Sequence, residues 1–236
     1  MSHLQRIFVG LLLLLPSLVW TTGCASSRSL RLQARDDLVA GKPDDAEKKL
    51  TEAEVLKEDK NRLLTLVELG TVAQAKGEYS KSILLFVQAK ELAQKYWTTS
   101  VTEQLKTGLL NDLSATYAGM DYEISAIRYY LVSAYLALAD QGSEKAWTMP
   151  MLSTDGKTPL FEAGPRPEKT FTPKEVAEYI SKARAEVFDL DTYLESVRER
   201  NRGTPYYKED LLAKTLGAYV HQLSGIGGDA QIAKKL

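Results

Sequence analysis

The sequence predicts an all-α protein, on three observations. From Leu30 onward, apolar residues recur at the three- and four-residue steps of an amphipathic helix. No convincing run of alternating apolar and polar residues marks a strand. Similar helix–turn–helix units also follow one another along the chain, the mark of a helical-hairpin solenoid. The finer expectation is such a solenoid interrupted by a proline-rich insertion and followed by a long C-terminal helix.

The N-terminus comes first and has a different character. Arg6 precedes the apolar run 7–20, which is broken only by Gly10, Pro16 and Ser17. That run is shorter than the roughly 20 apolar residues a membrane-spanning helix needs, and it reads as a secretory signal. It ends in Thr21-Thr22-Gly23-Cys24, and Cys24 is the only cysteine among 236 residues. Small residues directly before a lone cysteine resemble the lipobox of bacterial lipoproteins, although Thr21 stands where that pattern usually has Leu. The resemblance implies cleavage of residues 1–23 and acylation at Cys24. Several acyl chains make an anchor where one would be marginal, because each buried methylene contributes about 0.8 kcal/mol. Ala25 takes the place where an inner-membrane retention signal would have Asp. The implied location is the outer membrane, facing the periplasm, on a tether spanning 24–29.

Residues 30–140 carry the repeats. In the clearest unit, Leu66, Leu69, Gly70, Gly77, Tyr79, Ile83, Phe86 and Ala89 fall at the offsets of a tetratricopeptide repeat, with the turn at Lys76-Gly77-Glu78. An earlier unit turns at Gly41, with Pro43 opening its second helix, the favourable place for proline. A third is looser: Leu109, Leu113 and Tyr117 mark one helix, Gly119 and Asp121-Tyr122 the turn, and Ile127, Tyr130 and Leu131 the other. Residues 117–140 also resemble tetratricopeptide-like bacterial lipoproteins. Such proteins serve as accessory factors in outer-membrane protein insertion, in pilus or secretin assembly, or in control of cell-wall synthases.

The insertion spans 141–172, and five of the eight prolines fall within 150–173, four of them in the insertion and the fifth, Pro173, just after it. A segment of that kind in a compact domain is either functional or mobile, so it is expected to fold over or beside the binding groove. It stops at Thr172-Pro173-Lys174-Glu175, a capping box with proline at the first helical position. The following helix carries Val176, Ile180, Ala183, Val187, Leu190, Leu194 and Val197 at alternating steps of four and three, a heptad seam. The seam can serve packing on the preceding helices or pairing with a second chain. A last hairpin follows Thr204-Pro205, with Leu212, Leu216, Tyr219 and Leu223 as its apolar stripe and 225–228 as its turn. Its second helix is cut short, and a weakly packed end is expected within 173–236.

Composition narrows the chemistry. A net charge of −1 argues against a nucleic-acid partner. Two histidines, His3 and His221, and one cysteine are too few for a zinc site, a disulfide framework or a Cys–His nucleophile pair, so no metal and no cofactor is expected. Asp189 and Asp191, or Glu175 and Glu178, offer paired carboxylates of the kind a glycosidase needs, on a helix saturated with charge, and a pair such as Asp155 and Glu162 near the insertion could serve an enzyme acting on peptidoglycan. Arg28, Arg31 and Arg35 can meet lipid headgroups or form a plain tether cluster. The aromatic set Tyr96, Trp97, Tyr122, Tyr129, Tyr130 and Tyr135 suits either a core or a groove that binds a protein, since rigid amphipathic rings give contact area at low entropy cost. The function that remains is a non-catalytic, lipid-anchored scaffold that binds protein partners of the cell envelope. Its alternatives are a homo-oligomer joined through 176–197 and the peptidoglycan enzyme.

Overall fold

The computed structural model describes residues 27–52, 61–104, 119–150, 152, 161–202 and 210–236. Among these the protein is mostly helical, as an all-α sequence should be. The helices are α1 (Ser27–Val39), α2 (Pro43–Glu52), α3 (Arg62–Lys76), α4 (Tyr79–Gln104), α5 (Asp121–Gln141), α6 (Pro173–Arg200), α7 (Leu211–Leu223) and α8 (Asp229–Ala233). No described helix is long and apolar enough to cross a membrane.

Two hairpins open the body. α1 and α2 turn at Gly41, whose φ is +73°. α3 and α4 turn at Gly77, where Gly77 N donates to Gln74 O at 3.0 Å and Glu78 N to Ala73 O at 2.9 Å. The φ of +75° at Gly77 is one that side-chain-bearing residues rarely adopt. Gly70 has another reason to be glycine: a Cβ there would lie 3.0 Å from the ring of Phe86, which is wholly buried. α4 crosses α3 at that point, and Ser82 Oγ donates to Gly70 O at 2.9 Å. α4 continues to Gln104, past the expected end of its repeat at Tyr96. The helix expected around Leu109–Tyr117 lies outside the described residues.

The third hairpin is built from α5 and α6. They run antiparallel: Asp121 meets Arg200, Arg128 meets Asp189, and Tyr135 stacks near Tyr179 at 6.4 Å. The proline-rich insertion is therefore the connection within one hairpin. It also contains strands, which corrects the expectation of an irregular segment without them. β1 (Ser143–Glu144) pairs with β4 (Lys169–Thr170), and β2 (Trp147–Met149) with β3 (Gly164–Arg166), all antiparallel. At two or three residues each, and with Pro165 in β3, they are too short for alternation to show in the sequence. Trp147 and Met149 are buried while Thr148 between them is exposed, the alternation a strand requires. Glu144 is buried and its Oε1 accepts from Ser80 N at 2.9 Å, which caps the N-terminus of α4 from this distant arm.

The heptad seam is used inside the chain. Ala183, Val187, Leu190 and Val197 are buried, Val176, Ile180 and Leu194 are half-buried, and Ala183 and Val187 join the main core. That core also holds Leu63, Leu66 and Leu69 of α3, Leu85, Phe86 and Ala89 of α4, Ile127 and Leu131 of α5 and Val220 of α7. The capping box is present, with Glu175 N donating to Thr172 Oγ1 at 3.3 Å and Thr172 N donating to Glu175 Oε2 at 2.8 Å. Lys169 and the Thr172 backbone N–H together hold the Glu175 carboxyl down to about 2.

One expectation for the C-terminus is corrected. Of the stripe Leu212, Leu216, Tyr219 and Leu223, only Leu216 packs against the core, half-buried, and the other three are exposed; the buried residues of α7 are Gly217, Val220 and His221. Gly217 allows this, because a Cβ there would sit 3.3 Å from Val187 and 3.2 Å from Leu236. The last helix is short, as expected, and residues 230–236 are half-buried or exposed, with a single anchor. Asp229 is buried and accepts from Arg184 Nε at 2.6 Å and Nη2 at 2.9 Å, and from Ser224 Oγ.

The first hairpin is locked to the second by a buried ion cluster. Lys81 is only 2% exposed and its ammonium contacts Glu47 of α2 and Glu78, the latter at 2.8 Å. Lys76 joins Glu47 at 2.6 Å, Asp44 at 2.9 Å and Glu78 at 3.0 Å. Burial alone would raise the Glu47 carboxyl, but hydrogen bonds from Lys76 and Lys81 outweigh it and the net shift is downward from 4.5.

Three outcomes follow from this packing. Glu47→Gln leaves the Lys81 charge under-compensated and is expected to cost about 3 kcal/mol in urea unfolding, while Lys81→Met costs less. The folded-state pKa of Glu47 lies below its unfolded value, so its stabilisation is complete above pH 4.5 and is lost as the pH falls through the folded pKa; the acid limb of stability should flatten in Glu47→Gln. Gly70→Ala should destabilise by about 1–3 kcal/mol through overpacking against Phe86, read in the same unfolding experiment.

Candidate functional site

One cleft gathers aromatic and charged side chains from three helices. It lies between the second half of α4, the start of α5 and the second half of α6, and holds about 220 Å³. The pattern that builds it is readable helix by helix. Asp189, Tyr193, Ser196 and Arg200 follow one another at steps of four, three and four on α6, beside the apolar seam. Asp121, Ile124 and Arg128 do the same on α5, and Lys90, Ala93 and Trp97 on α4.

Within the cleft the charges are closely matched. The guanidinium of Arg128, a buried residue, lies 4.4 Å from the centre of the Tyr193 ring; its Nε donates to Asp189 Oδ2 at 2.8 Å and its Nη1 to Ile124 O at 3.1 Å. Lys90 Nζ donates to Glu186 at 2.7 and 2.8 Å. Asp121 Oδ1 accepts from both Tyr193 Oη and Arg200 Nη2, each at 2.8 Å. Burial, reinforced by the bond to the Asp121 carboxylate, pushes the Tyr193 phenol well above its usual range. Arg200 also lies 4.9 Å from the centre of the Trp97 ring, a cation–π contact on an indole that is 47% exposed. The result is an aromatic wall with a guanidinium over it and the carboxylates already engaged.

The aromatic residues singled out by sequence divide between different settings. Trp97 lines the cleft. Tyr122 is 67% exposed. Tyr130 stacks on Phe86 with centroids 5.0 Å apart and planes at 3°, Tyr135 is buried, and Tyr96 packs against the core. Burial and the nearby Glu186 carboxylate push Tyr135 up to about 12. The Tyr129 hydroxyl bonds Asp210 at the start of α7. Cys24 lies outside the described residues, as does Asp155. Sequence reasoning missed Arg128, Tyr193 and Arg200, because their neighbours are about 60 to 100 residues away in the chain; the one available signal was the polar step pattern along α6.

Other candidates resolve into structural contacts. Glu178 pairs with Lys182 at 2.9 Å, and the Glu162 side chain is 88% exposed. Arg31 bonds Glu68, and Thr65 at 2.9 Å, and burial pulls it down to about 10. A second, larger groove of about 450 Å³ runs between α1, α2 and α3, with Leu32, Leu64 and Val67 on its walls. His221 is buried with Nδ1 3.1 Å from Asp229, and Ser224 is close by. This is not a nucleophile triad: Ser224 Oγ donates to Asp229 instead of meeting the imidazole, and Arg184 occupies the rest of the carboxylate. Among the described residues, no three His, Cys, Asp or Glu side chains converge to hold a metal.

None of the described residues of the β-strand arm lines the cleft. They attach at Ser80, the first turn of α4, whereas Trp97 lies about 25 Å further along that helix at 1.5 Å per residue. Trp147 of the arm is buried and Trp97 is half-exposed, so acrylamide should quench the wild type more strongly than Trp97→Phe. Equal quenching of the two proteins would contradict this placement of Trp97.

Compared with family models, curated proteins and solved structures, the chain finds no match.

Proposed function

We propose that the protein is a lipid-anchored scaffold of tetratricopeptide-like hairpins that holds protein partners at the periplasmic face of the outer membrane. The cleft at Trp97 is the observation that carries this. A cavity of about 220 Å³ is smaller than the roughly 300–1,000 Å³ typical of small-molecule sites and suits one or two inserted side chains. A half-exposed indole and an arginine are also the residue types that dominate binding energy at protein interfaces. Each charge in the cleft already has an opposite partner, which favours recognition by shape and ring stacking over chemistry on a substrate.

Two packing features support the tetratricopeptide-like part of the reading. Gly70 lies under Phe86 at the crossing of α3 and α4, and the turn glycine Gly77 is followed by Tyr79 at the start of α4. The anchor part rests on the sequence around Cys24. The described chain enters α1 at Ser27, a few residues beyond Cys24, so the lipid would hold the first hairpin close to the membrane surface.

Two experiments test the proposal separately. Radioactive fatty acid should label the wild type and leave Cys24→Ala unlabelled; equal labelling removes the anchor. A photoreactive residue at position 97 should give discrete protein adducts in intact envelopes, lost in Arg200→Ala, while the same group at Lys145 on the arm should not. Identical adducts from both positions would remove the cleft as the binding face.

A further inference from the structure

α7 has a second apolar face. Gly217, Val220 and His221 point into the protein, and one such face is all a helix needs to join a core. About a third of a turn away, Leu212, Leu216, Tyr219 and Leu223 form another stripe at steps of four, three and four. Leu212 is 60% exposed, Tyr219 53% and Leu223 43%, and Leu211 and Ile226 extend the patch at either end. Among the described residues Leu212, Tyr219 and Leu223 lie open and Leu216 between them is half-buried with one side on the core, whereas the longer seam on α6 is filled by the chain's own helices.

We propose that the stripe is where a second copy of the chain packs, with two α7 helices meeting antiparallel about a two-fold axis. The stripe is complementary to itself. An axis midway between Leu216 and Tyr219 sets Leu212 opposite Leu223 of the other copy, and Leu216 opposite its Tyr219, so large apolar groups meet along the whole contact. Charge also permits it. A two-fold brings each rim residue near the rim of its own copy, so a charged rim would repel itself; the rim here is Thr215, Ala218 and Gln222. Lys214, the one lysine of α7, lines the inner cavity against α6 instead.

Area points the same way. The open parts of these side chains amount to on the order of 500 Å², near the upper end of the largest patch an ordinary monomer shows. Two such patches with their rims reach about the 1,200 Å² at which specific interfaces begin. A helix built to lie on a membrane would carry several basic residues beside its apolar face, and α7 has none on this side. No residue of α7 lines the Trp97 cleft, so the contact does not depend on what that cleft binds.

Sedimentation equilibrium of the purified full chain, in density-matched detergent at micromolar concentration, tests the proposal. The wild type should show a two-chain mass. Tyr219→Glu should raise the dissociation constant by at least about 30-fold, with helical content unchanged by circular dichroism. Thr215→Arg touches no core residue and sets like charges across the axis, so it should weaken the pair roughly tenfold even if the glutamate variant folds poorly. Ser181→Arg on α6 should change nothing. A single-chain wild-type mass at every concentration overturns the proposal, as does a two-chain mass that persists in both α7 variants. Vesicle binding by a single-chain wild type that is lost in Tyr219→Glu would assign the face to a membrane and overturn it equally.

Discussion

The position of Lys81 constrains the whole N-terminal half. An ammonium with almost no access to water is tolerated only if carboxylates surround it, because desolvating it alone would cost several kcal/mol. Glu78 comes from the same turn, but Glu47 comes from α2, so the first hairpin must dock on the second with its acidic face inward. Lys76 then completes the cluster and reaches Asp44. The apolar packing of Ala46 and Leu50 on the second hairpin is non-directional; the ion cluster gives it a register.

The same principle recurs at the other end on a different scale. Arg128, Asp189, Tyr193, Asp121 and Arg200 form a ladder down the α5–α6 contact, and Arg184 with Asp229 closes the C-terminus onto α6. In each case a charge taken out of water determines which helix lies opposite. The apolar seam of α6 supplies area, and these polar rungs select the alignment of α5 along it. The cleft at Trp97 is the outer end of this ladder, where the rungs reach the surface and leave an indole half-uncovered.

Much of this was legible in the sequence where the signal is local. The turns at Gly41 and Gly77, the close approach at Gly70 and the capping box at Thr172 each depend on a few adjacent residues, and the helical periodicity follows from a repeated burial pattern. What depends on distant partners was not legible. The pairing of α5 with α6 is hidden by a connection of about thirty residues, whose strands are too short to alternate visibly. The outward stripe on α7 looked like a core face because helical spacing says that a face is apolar without saying what covers it. Gly217 carried the missing information, since a glycine on a helix marks the side where a neighbour comes close. The cleft fell between these cases: its polar steps on α6 were visible, but Arg128 and Trp97 come from elsewhere in the chain.

Glu144 capping α4 has a consequence for how the chain is made. In an ideal solenoid each repeat needs only its neighbours, so the units can form in order as they leave the ribosome. Here the first turn of α4 is completed by a residue 64 positions later, and Lys90 on the same helix finds Glu186 96 positions later. The early hairpins therefore emerge with their long helix unfinished, and the loop-closure entropy of those contacts is paid before they form. Although assembled from local hairpins, the chain completes its central helix only after the arm and α6 have been synthesised.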